Sequence, residues 1–546
     1  MSTVSAQVAL TLAQHVGEVF GVMGNGNAYL LDAFERLNGV TVTPVRHEAG
    51  AVVAADAFHR ASGGLAVATA TYGAGFTNML TPLAESVLAR VPMVVVVGDR
   101  PTTGARLWDV DQAALATEVG AHTFTVGLDD AAAVTNGAIE YALAHRTPVV
   151  LAIPYDLAAR EVGPSEPRAL TRPAARIPEA AAIDALVEVL ASAERPYLLA
   201  GRGAWVAGAG DALGQVADLI GAITSTTALG RGLFPRAEFD LGVTGGFGAE
   251  QAMALVAGAD VAVVFGAALN QFTTKFGGLF GEQTVVVQVD VSEGQTNARV
   301  NRFVRGDAAL VATALAEGLR TRGAAPSGWR ESIPIPPLRH YESGIGLAED
   351  GRLDPRSVAQ RLAELLPADR VVVTDGGHFL GWVNMFWPVA APDRMVMAGT
   401  AYQSIGLGLP SVAGAARAKP DSTIVLATGD GGGLMALADL ETAVRVAAGR
   451  GIAVVWNDAA YSAEVTLYGR VKGLALEPML IPEVDFAALG EAVGAEGVVV
   501  RTLGDLDRLA SWAAESTDTR RFLVLDCRIS GEIVAPYQQE IIRVNS

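Results

Sequence analysis

Short apolar segments of strand length alternate with helical segments along most of the chain, and this alternation restricts the fold more than any other feature. Near the amino terminus, Val8, Leu12 and Val16 have helical spacing, while residues 19–22 and 40–45 have the character of strands. Strands that are separated by helices pair in parallel and place ligands at their carboxyl ends. The sequence therefore predicts an α/β fold built from doubly wound parallel sheets.

Two proline-rich stretches, at residues 164–178 and 326–337, divide this pattern into three units. The predicted units are a first domain at residues 1–165, a central domain at residues 180–325 and a third domain at residues 350–546. A chain of 546 residues is about three to four times the usual size of one domain, which agrees with this division. Other strands are predicted at residues 65–71, 92–98, 148–153, 197–200, 261–265, 285–289, 371–374, 423–428, 452–456 and 522–525.

The composition disfavours several classes of protein. Asp and Glu outnumber Lys and Arg by 58 to 40, and a net charge of −18 without a basic cluster argues against nucleic-acid binding. Although 51% of the residues are hydrophobic, runs such as residues 93–98 are far too short to span a membrane. Residues 1–17 lack a signal-peptide pattern, and the single Cys527 argues against disulfides and structural zinc. A cytoplasmic location is predicted.

Two polar residues follow neighbouring predicted strands of the third domain. Asp430 stands in a glycine-rich turn directly after residues 423–428, and Asn457 follows residues 452–456. Parallel strands would bring this carboxylate and this amide to one edge of the sheet, where they can share a hard cation with diphosphate oxygens. A strand-to-helix turn without any ligand is the alternative, because glycine-rich turns of this kind are common.

These residues carry a resemblance to a known family. Gly429-Asp430-Gly431 followed by Asn457 resembles the thiamine diphosphate-binding motif, and the whole chain resembles acetolactate synthase large subunits and their relatives. The resemblance implies a pyrimidine-binding domain, a central Rossmann-like domain and a diphosphate-binding domain, in that order. It assigns Mg²⁺ to the side chains of Asp430 and Asn457 and to the backbone of Ala459. It assigns contacts with thiamine diphosphate to Gly73, Gly376, Gly377, His378, Gln403, Ile405, Gly429, Gly431, Gly432 and Asn457.

The resemblance also implies catalytic residues. Glu48 corresponds to the glutamate that activates the aminopyrimidine, Ile405 to the apolar residue that bends the cofactor, and Asn25 to a group that faces the substrate. Each has a structural alternative: Glu48 is also typical of a helix amino terminus, Ile405 of a core, and Asn25 of an Asn-Gly turn. His378 is similarly either a phosphate donor or a loop histidine, and Gly73 is also typical of a simple turn.

The sequence departs from the family pattern at two places. Trp108 stands where acetolactate synthases usually carry Gln, which indicates a changed substrate wall. Glu464 follows Asn457 at a position where simple carboligases are apolar, so it is a candidate proton relay, with an exposed helix glutamate as the alternative. FAD, which many acetolactate synthases hold, is not established by Gly201-Arg202-Gly203 and Gly266.

The resemblance implies an enzyme that needs thiamine diphosphate and Mg²⁺. It would cleave a 2-oxo acid or dicarbonyl to a cofactor-bound enamine and transfer the acyl unit to a carbonyl acceptor. A decarboxylase that releases an aldehyde is the alternative. A dinucleotide-dependent oxidoreductase is less favoured, because no Gly-x-Gly-x-x-Gly opens a helix. Active sites between the subunits of a homodimer or homotetramer are also implied.

Overall fold

Three sheets of six parallel strands organise the chain in a computed structural model that describes residues 2–163 and 168–545. Helices cover both faces of each sheet, so the predicted α/β class with three doubly wound sheets is confirmed. The limits 1–165, 180–325 and 350–546 stay predictions, and Pro164 and Pro167 lie outside the described residues. Among those residues no helix is both long and apolar enough to cross a membrane.

The first sheet has the strand order β3-β2-β4-β5-β7-β6. Its strands are β2 (Glu18–Gly21), β3 (Thr41–Pro44), β4 (Val67–Ala70), β5 (Met93–Asp99), β6 (His122–Thr125) and β7 (Pro148–Pro154), and β1 (Ser2–Thr3) pairs separately with β8 (Glu161–Val162). The helices are α1 (Val4–Ala13), α2 (Ala28–Glu35), α3 (Glu48–Ser62), α4 (Ala74–Thr77), α5 (Leu80–Leu88), α6 (Gln112–Glu118) and α7 (Ala131–His145).

The central sheet has the order β11-β10-β9-β12-β13-β14. Its strands are β9 (Pro196–Ala200), β10 (Ile223–Thr226), β11 (Asp240–Val243), β12 (Val261–Phe265), β13 (Val285–Asp290) and β14 (Arg302–Arg305). Its helices are α8 (Ala180–Ala191), α9 (Arg202–Val206), α10 (Gly210–Ile220), α11 (Glu250–Ala257) and α12 (Ala308–Arg322), and α13 (Ile335–Leu338) lies in the connection to the third sheet.

The third sheet has the order β16-β15-β17-β18-β20-β19. Its strands are β15 (Val371–Thr374), β16 (Met395–Met397), β17 (Ile424–Gly429), β18 (Gly451–Asn457), β19 (Glu496–Val500) and β20 (Leu523–Arg528). Its helices are α14 (Pro355–Leu365), α15 (Leu380–Phe386), α16 (Gly408–Ala418), α17 (Asp430–Met435), α18 (Leu440–Ala447), α19 (Ser462–Glu464), α20 (Phe486–Ala492), α21 (Asp507–Ala514) and α22 (Pro536–Asn545). A π-helical turn, Val465–Val471, follows α19 directly.

Within the three six-stranded sheets, six strands were not predicted from the sequence, namely β6, β10, β11, β14, β16 and β19. Most are edge or near-edge strands with partly exposed side chains, β10 is rich in Ser and Thr, and β16 has only three residues. Such strands lack the continuous apolar run that marks a buried parallel strand. The spacing of Leu437, Leu440 and Val444 predicts a helix over residues 437–444, but α18 begins at Leu440, after a 3₁₀ turn.

Helix α3 connects the first and third sheets. It is rich in alanine and lies between the first sheet and α16, so that Ala54 belongs to the first core while Ala57 belongs to the third. Gly414 of α16 makes this contact close, since an added Cβ there would lie 1.9 Å from the carbonyl oxygen of Ala54. The short side chains therefore hold the carboxyl edges of the two outer sheets in a fixed relation.

Candidate active site

Asp430 and Asn457 lie at the carboxyl ends of two paired strands. Asn457 ends β18, and Asp430 opens α17 immediately after β17, whose last residue Gly429 pairs with Trp456. Both polar side chains are buried, with exposed fractions of 3% for Asp430 and 0% for Asn457. The fold thus brings the two side chains to one edge, as parallel pairing requires.

Each of these side chains presents an oxygen atom without a hydrogen-bond partner. Asp430 Oδ2 and Asn457 Oδ1 are buried and unpartnered, whereas Asn457 Nδ2 donates to the Val484 carbonyl at 3.0 Å and to Asp526 Oδ1 at 2.9 Å. Asp526 therefore fixes the amide so that its oxygen is free to act as a ligand. Buried polar atoms normally have partners, so this pair is suited to a bound cation.

The electrostatic environment of Asp430 also favours a bound cation. Burial, reinforced by the nearby charge of Asp458, raises the pKa of Asp430 to about 7, although the N–H of Gly431 donates to Asp430 Oδ1 at 2.9 Å. A cation beside the carboxylate would reverse this shift. The described residues contain no cluster of three or more His, Cys, Asp or Glu side chains suited to a metal. Neutral oxygens would therefore have to complete the coordination.

Ala459 follows Asn457 in the loop after β18. Its φ of +60° is unusual for a residue with a side chain, and its carbonyl accepts the N–H of Ile481 at 2.9 Å. A carbonyl oxygen has a second lone pair, so this contact is compatible with metal coordination. The assignment of Ala459 stays a prediction.

Asp375, which was not identified from the sequence, organises the neighbouring loops. Its buried Oδ1 accepts the N–H groups of Gly376 at 2.7 Å, Gly406 at 2.9 Å and Leu407 at 3.3 Å. A Cβ at Gly432 would lie 2.6 Å from Asp375 Oδ2, so Gly432 must lack a side chain. The carboxylate of Asp375 therefore connects the predicted diphosphate loops. Its position directly after β15 is the sequence feature by which it could have been identified.

His378 is held by the carboxyl-terminal part of the chain. Its Nε2 accepts the N–H of Ala535 at 3.2 Å, and the hydroxyl of Tyr537 donates to the carbonyls of His378 and Gly377 at 2.9 and 3.2 Å. Burial lowers the pKa of His378 to about 4, so the ring is neutral and carries its proton on Nδ1. Nδ1 can therefore still donate to a phosphate beside Gly376, whereas Nε2 is used to bind the backbone of Ala535.

Gln403 and Ile405 lie in the loop between β16 and α16. Gln403 has a φ of +61°, and Ile405 is 38% exposed, so Ile405 is not a core residue. Ile405 borders the same cleft as Gly429 and Asp430. An exposed isoleucine at this position fits a residue that supports a ligand.

Glu48 begins α3 and is half-buried, with His47 as the residue that caps the helix. Asn78 donates from Nδ2 to Glu48 Oε2 at 2.9 Å, and a Cβ at Gly75 would lie 3.5 Å from Oε1. Gly73 has a φ of +63°, and its N–H donates to Gln112 Oε1 at 2.7 Å. The turn that begins at Gly73 therefore adjoins Glu48, and neither Asn78 nor Gln112 was assigned these contacts from the sequence.

Asn25 is exposed and donates from Nδ2 to the hydroxyl of Tyr72 at 2.9 Å. The buried Asn27 forms the turn instead, accepting the N–H of Gly24 at 2.8 Å. Trp108 is 63% exposed, and its carbonyl lies 3.5 Å from where a Cβ on Gly73 would stand. Asn25 and Trp108 thus lie at the carboxyl edge of the first sheet.

Among the described residues, only those of the third domain line the cleft around Asp430. They include Gly376, His378, Ile405 and Glu464. Glu48 and the other first-domain residues are not part of this lining.

The glycines considered for FAD have a packing role. A Cβ at Gly203 would lie 2.8 Å from the Cα of Gly266, and one at Gly201 would lie 2.6 Å from the carbonyl of Gly266. Gly203 and Gly266 line a cleft of about 780 Å³ between the central and first domains. FAD binding stays a prediction without support from these glycines.

Three parallel α/β domains with glycine-rich loops and a buried acid–amide pair define an enzyme that binds a diphosphate cofactor. The thiamine pyrophosphate enzyme family matches in three parts: the N-terminal TPP binding domain at residues 2–153, the central domain at 183–315 and the C-terminal TPP binding domain at 375–527. The chain belongs to this family of thiamine diphosphate enzymes.

Individual relatives agree with this membership. The chain is 25% identical to an acetolactate synthase isozyme 3 large subunit from Escherichia coli (strain K12), over 96% of this chain and 94% of that protein. It is 27% identical to a sulfoacetaldehyde acetyltransferase from Alcaligenes xylosoxydans xylosoxydans, over 93% of this chain and 89% of that protein. The predicted acetolactate synthase-like carboligase or lyase class is confirmed.

A solved structure shows the same fold. The thiamine diphosphate-dependent 4-hydroxybenzoylformate decarboxylase of Rhodococcus jostii RHA1 superposes with a TM-score of 0.81 at 21% identity. The match covers 97% of this chain and 99% of the other. All three domains therefore share their arrangement with that enzyme.

Proposed function

We propose that this protein is a thiamine diphosphate- and Mg²⁺-dependent enzyme that cleaves a 2-oxo acid or dicarbonyl and transfers the acyl unit to a carbonyl acceptor. The observation that carries the proposal is the unpartnered pair Asp430 Oδ2 and Asn457 Oδ1, buried beside the glycine-rich loops. When bound, thiamine diphosphate supplies a nucleophilic carbon that adds to the carbonyl and an electron sink for the cleavage.

The third domain would hold the diphosphate end. Asp430, Asn457 and the Ala459 carbonyl would bind Mg²⁺. Backbone groups of the loops would contact the phosphates, because their glycines leave the approach open. These loops are 376–377 and 429–432. At the other end, Gln403 and Ile405 would support the ring system.

The first domain would supply proton transfer. Because Asn78 binds Glu48 Oε2, Oε1 is the oxygen available to hold a proton against the pyrimidine ring. Asn25 lies at the same edge of the sheet and would contact the substrate, with Trp108 forming part of the wall.

Two measurements test this function. Mass spectrometry of the gently purified protein should find thiamine diphosphate, and a bound nicotinamide nucleotide without it would favour the oxidoreductase. Incubation with pyruvate and with longer or aromatic 2-oxo acids should then give hydroxyketones. Free aldehydes as the main products would establish the decarboxylase instead.

Glu464 is the observation that favours the decarboxylase as a second candidate. Glu464 belongs to α19 and lines the cleft around Asp430, where its carboxyl group can deliver a proton to a carbanionic carbon of the substrate. We expect Glu464→Gln to lower aldehyde release by roughly 10²-fold, the lower end of general acid effects, with a smaller change in hydroxyketone formation. Product ratios by gas chromatography measure this, with the exposed Glu477→Gln as the control. An equal loss of both products would remove the proton-relay role.

The exposed apolar side chains support a homodimer. One patch follows the carboxyl ends of strands in the first sheet, and a second does so in the third. The first patch consists of Met23, Tyr29, Leu107, Trp108, Val110 and Tyr155, and the second of Tyr402, Ile405, Met435, Tyr468, Leu474 and Leu480. Large exposed apolar patches are characteristic of interfaces. A second copy that joins the two patches would bring Glu48 of one chain to Asp430 of the other, and a homotetramer would pair two such dimers.

Complementation between two inactive variants tests the shared site. In a mixture of Glu48→Gln and Asp430→Asn chains, each hybrid dimer contains one site with both natural residues. Random exchange should restore about a quarter of the wild-type activity, because half of the dimers are hybrids with one intact site. Activity is measured after dissociation and reassociation, with each variant alone as the control. No recovery, despite hybrid formation seen by native mass spectrometry, would place both residues of a site in one chain.

A further inference from the structure

The loop of residues 398–407 has a shape that its own side chains do not explain. It carries Gln403 and Ile405, and its backbone has positive φ at Gly399 (+93°), Gln403 (+61°) and Gly406 (+86°). The side chains of Tyr402 and Ile405 are exposed, so apolar packing holds only the two ends of the loop, at the buried Ala398 and Leu407. Within the loop the N–H of Ser404 donates to the carbonyl of Gly399 at 2.8 Å, and the other anchors come from outside the loop.

One set of bonds comes from Asp375, within the third domain. Its carboxylate accepts the N–H groups of Gly406 and Leu407 at the end of the loop, and Thr428 donates its hydroxyl to Oδ2 at 3.2 Å. This anchor fixes only the side of the loop that leads into α16. The beginning and middle of the loop need another partner.

That partner is Glu85 of α5, in the first domain. Glu85 is 1% exposed, and its Oε2 accepts the N–H of Tyr402 at 2.6 Å. Tyr402 directly precedes Gln403. A carboxylate from another domain therefore determines the position of the residue next to the proposed cofactor contact.

Glu85 is itself held in place by a buried ionic cluster. Arg60 Nη2 lies 3.2 Å from Glu85 Oε1, the same guanidinium pairs with Asp56, and Ser86 donates to Asp56 Oδ2 at 2.9 Å. Arg60 Nη1 also donates to the carbonyl of Met397 at 3.0 Å, just before the loop. A fully satisfied buried network is rigid, and it loses that rigidity when one partner is removed.

We propose that Glu85 is a positioning residue which, from the first domain, fixes the loop that carries Gln403 and Ile405 and thereby sets the affinity for thiamine diphosphate. The proposal rests on the proposed function, because it takes Gln403 and Ile405 to contact the cofactor. Glu85 does not contact the cofactor itself; it acts through the backbone of Tyr402.

Hydrogen exchange on the wild-type protein provides a test that needs no variant. The N–H of Tyr402 should exchange far more slowly than exposed loop amides such as that of Gly294, with or without thiamine diphosphate and Mg²⁺, because Glu85 holds it. Exchange of Tyr402 at the rate of a free loop amide would overturn the proposal.

The variant Glu85→Gln keeps the shape of the side chain and removes its charge. We expect the Kd and KM for thiamine diphosphate at saturating Mg²⁺ to rise at least about tenfold, with kcat at saturating cofactor within about twofold of the wild type. The matched control is Asp354→Asn. Asp354 is another buried carboxylate that pairs with an arginine, Arg356, and these partners lie outside the loop of residues 398–407.

Unfolding temperatures measured in parallel separate stability from positioning. A Glu85→Gln protein that loses stability like the control but binds the cofactor like the wild type would overturn the proposal. Failure of the wild type to bind thiamine diphosphate would instead overturn the proposed function, and protection of the Tyr402 amide would then show only whether Glu85 holds the loop.

Discussion

Replacement of Glu48 by Gln should slow exchange of the C2 proton of bound thiamine diphosphate by roughly 10²- to 10⁴-fold, the range of general acid–base effects. The amide keeps the hydrogen bond from Asn78 but cannot share a proton with the pyrimidine ring through Oε1. Exchange is started by dilution into deuterium oxide, stopped with acid, and followed by proton NMR. Cofactor affinity should change little, because the diphosphate end belongs to the third domain.

The exposed Glu118→Gln, a residue of α6 in the same domain, is the matched control and should exchange like the wild type. Unchanged exchange in the Glu48 variant would remove its assigned role. Slow exchange together with a large loss of cofactor affinity would show instead that the substitution disturbs the turn at Gly73 and Gly75.

Replacement of Asp430 by Asn should abolish Mg²⁺-supported cofactor binding. Loss of a charged metal ligand should weaken the binding of thiamine diphosphate by at least roughly 100-fold, beyond the usual effect of outer-shell changes. Isothermal titration with and without Mg²⁺ measures this, with the exposed Asp421→Asn as the control. Wild-type affinity in the Asp430 variant would remove the metal site.

The same substitution should stabilise the protein when metal and cofactor are absent. Because the pKa of Asp430 is raised from 3.8 to about 7, the folded protein binds the extra proton, and its unfolding free energy falls as the pH rises from about 4 to 7. The Asp430→Asn substitution would remove this loss, of roughly 1 to 4 kcal/mol above pH 7. Urea unfolding of the metal-free proteins at pH 5 and pH 8 should show the larger difference at pH 8. If the unfolding free energy of the metal-free wild type did not fall between pH 5 and pH 8, this would contradict a buried and unpartnered carboxylate at Asp430.

The candidate metal site could be predicted from the sequence because it depends on local patterns. Buried strands before Asp430 and Asn457 are continuous apolar runs, and parallel pairing then brings their carboxyl ends together. Edge strands such as β6 and β19 escaped prediction because solvent-facing positions interrupt their apolar pattern. The strand pattern therefore locates the centre of each sheet better than its margins.

Residues that act through distant contacts could not be found in this way. Glu85 binds the backbone of Tyr402, which is 317 positions away in the chain, and nothing in the helical pattern of α5 indicates that contact. Gln112 likewise becomes recognisable only when the turn at Gly73 is seen in three dimensions. Sequence patterns show where side chains point along an element, whereas these roles depend on which other element lies opposite.

The contact between α3 and α16 makes the first and third domains a single structural body, although the central domain separates them in the sequence. Helix α3 has two cores to fill, one on each side, and Gly414 leaves no space between it and α16. A fragment cut at the first proline-rich stretch would leave one side of α3 open to water. The sequence is thus divided into three domains, but a fragment in which both sides of α3 are covered must contain the first domain and the third domain.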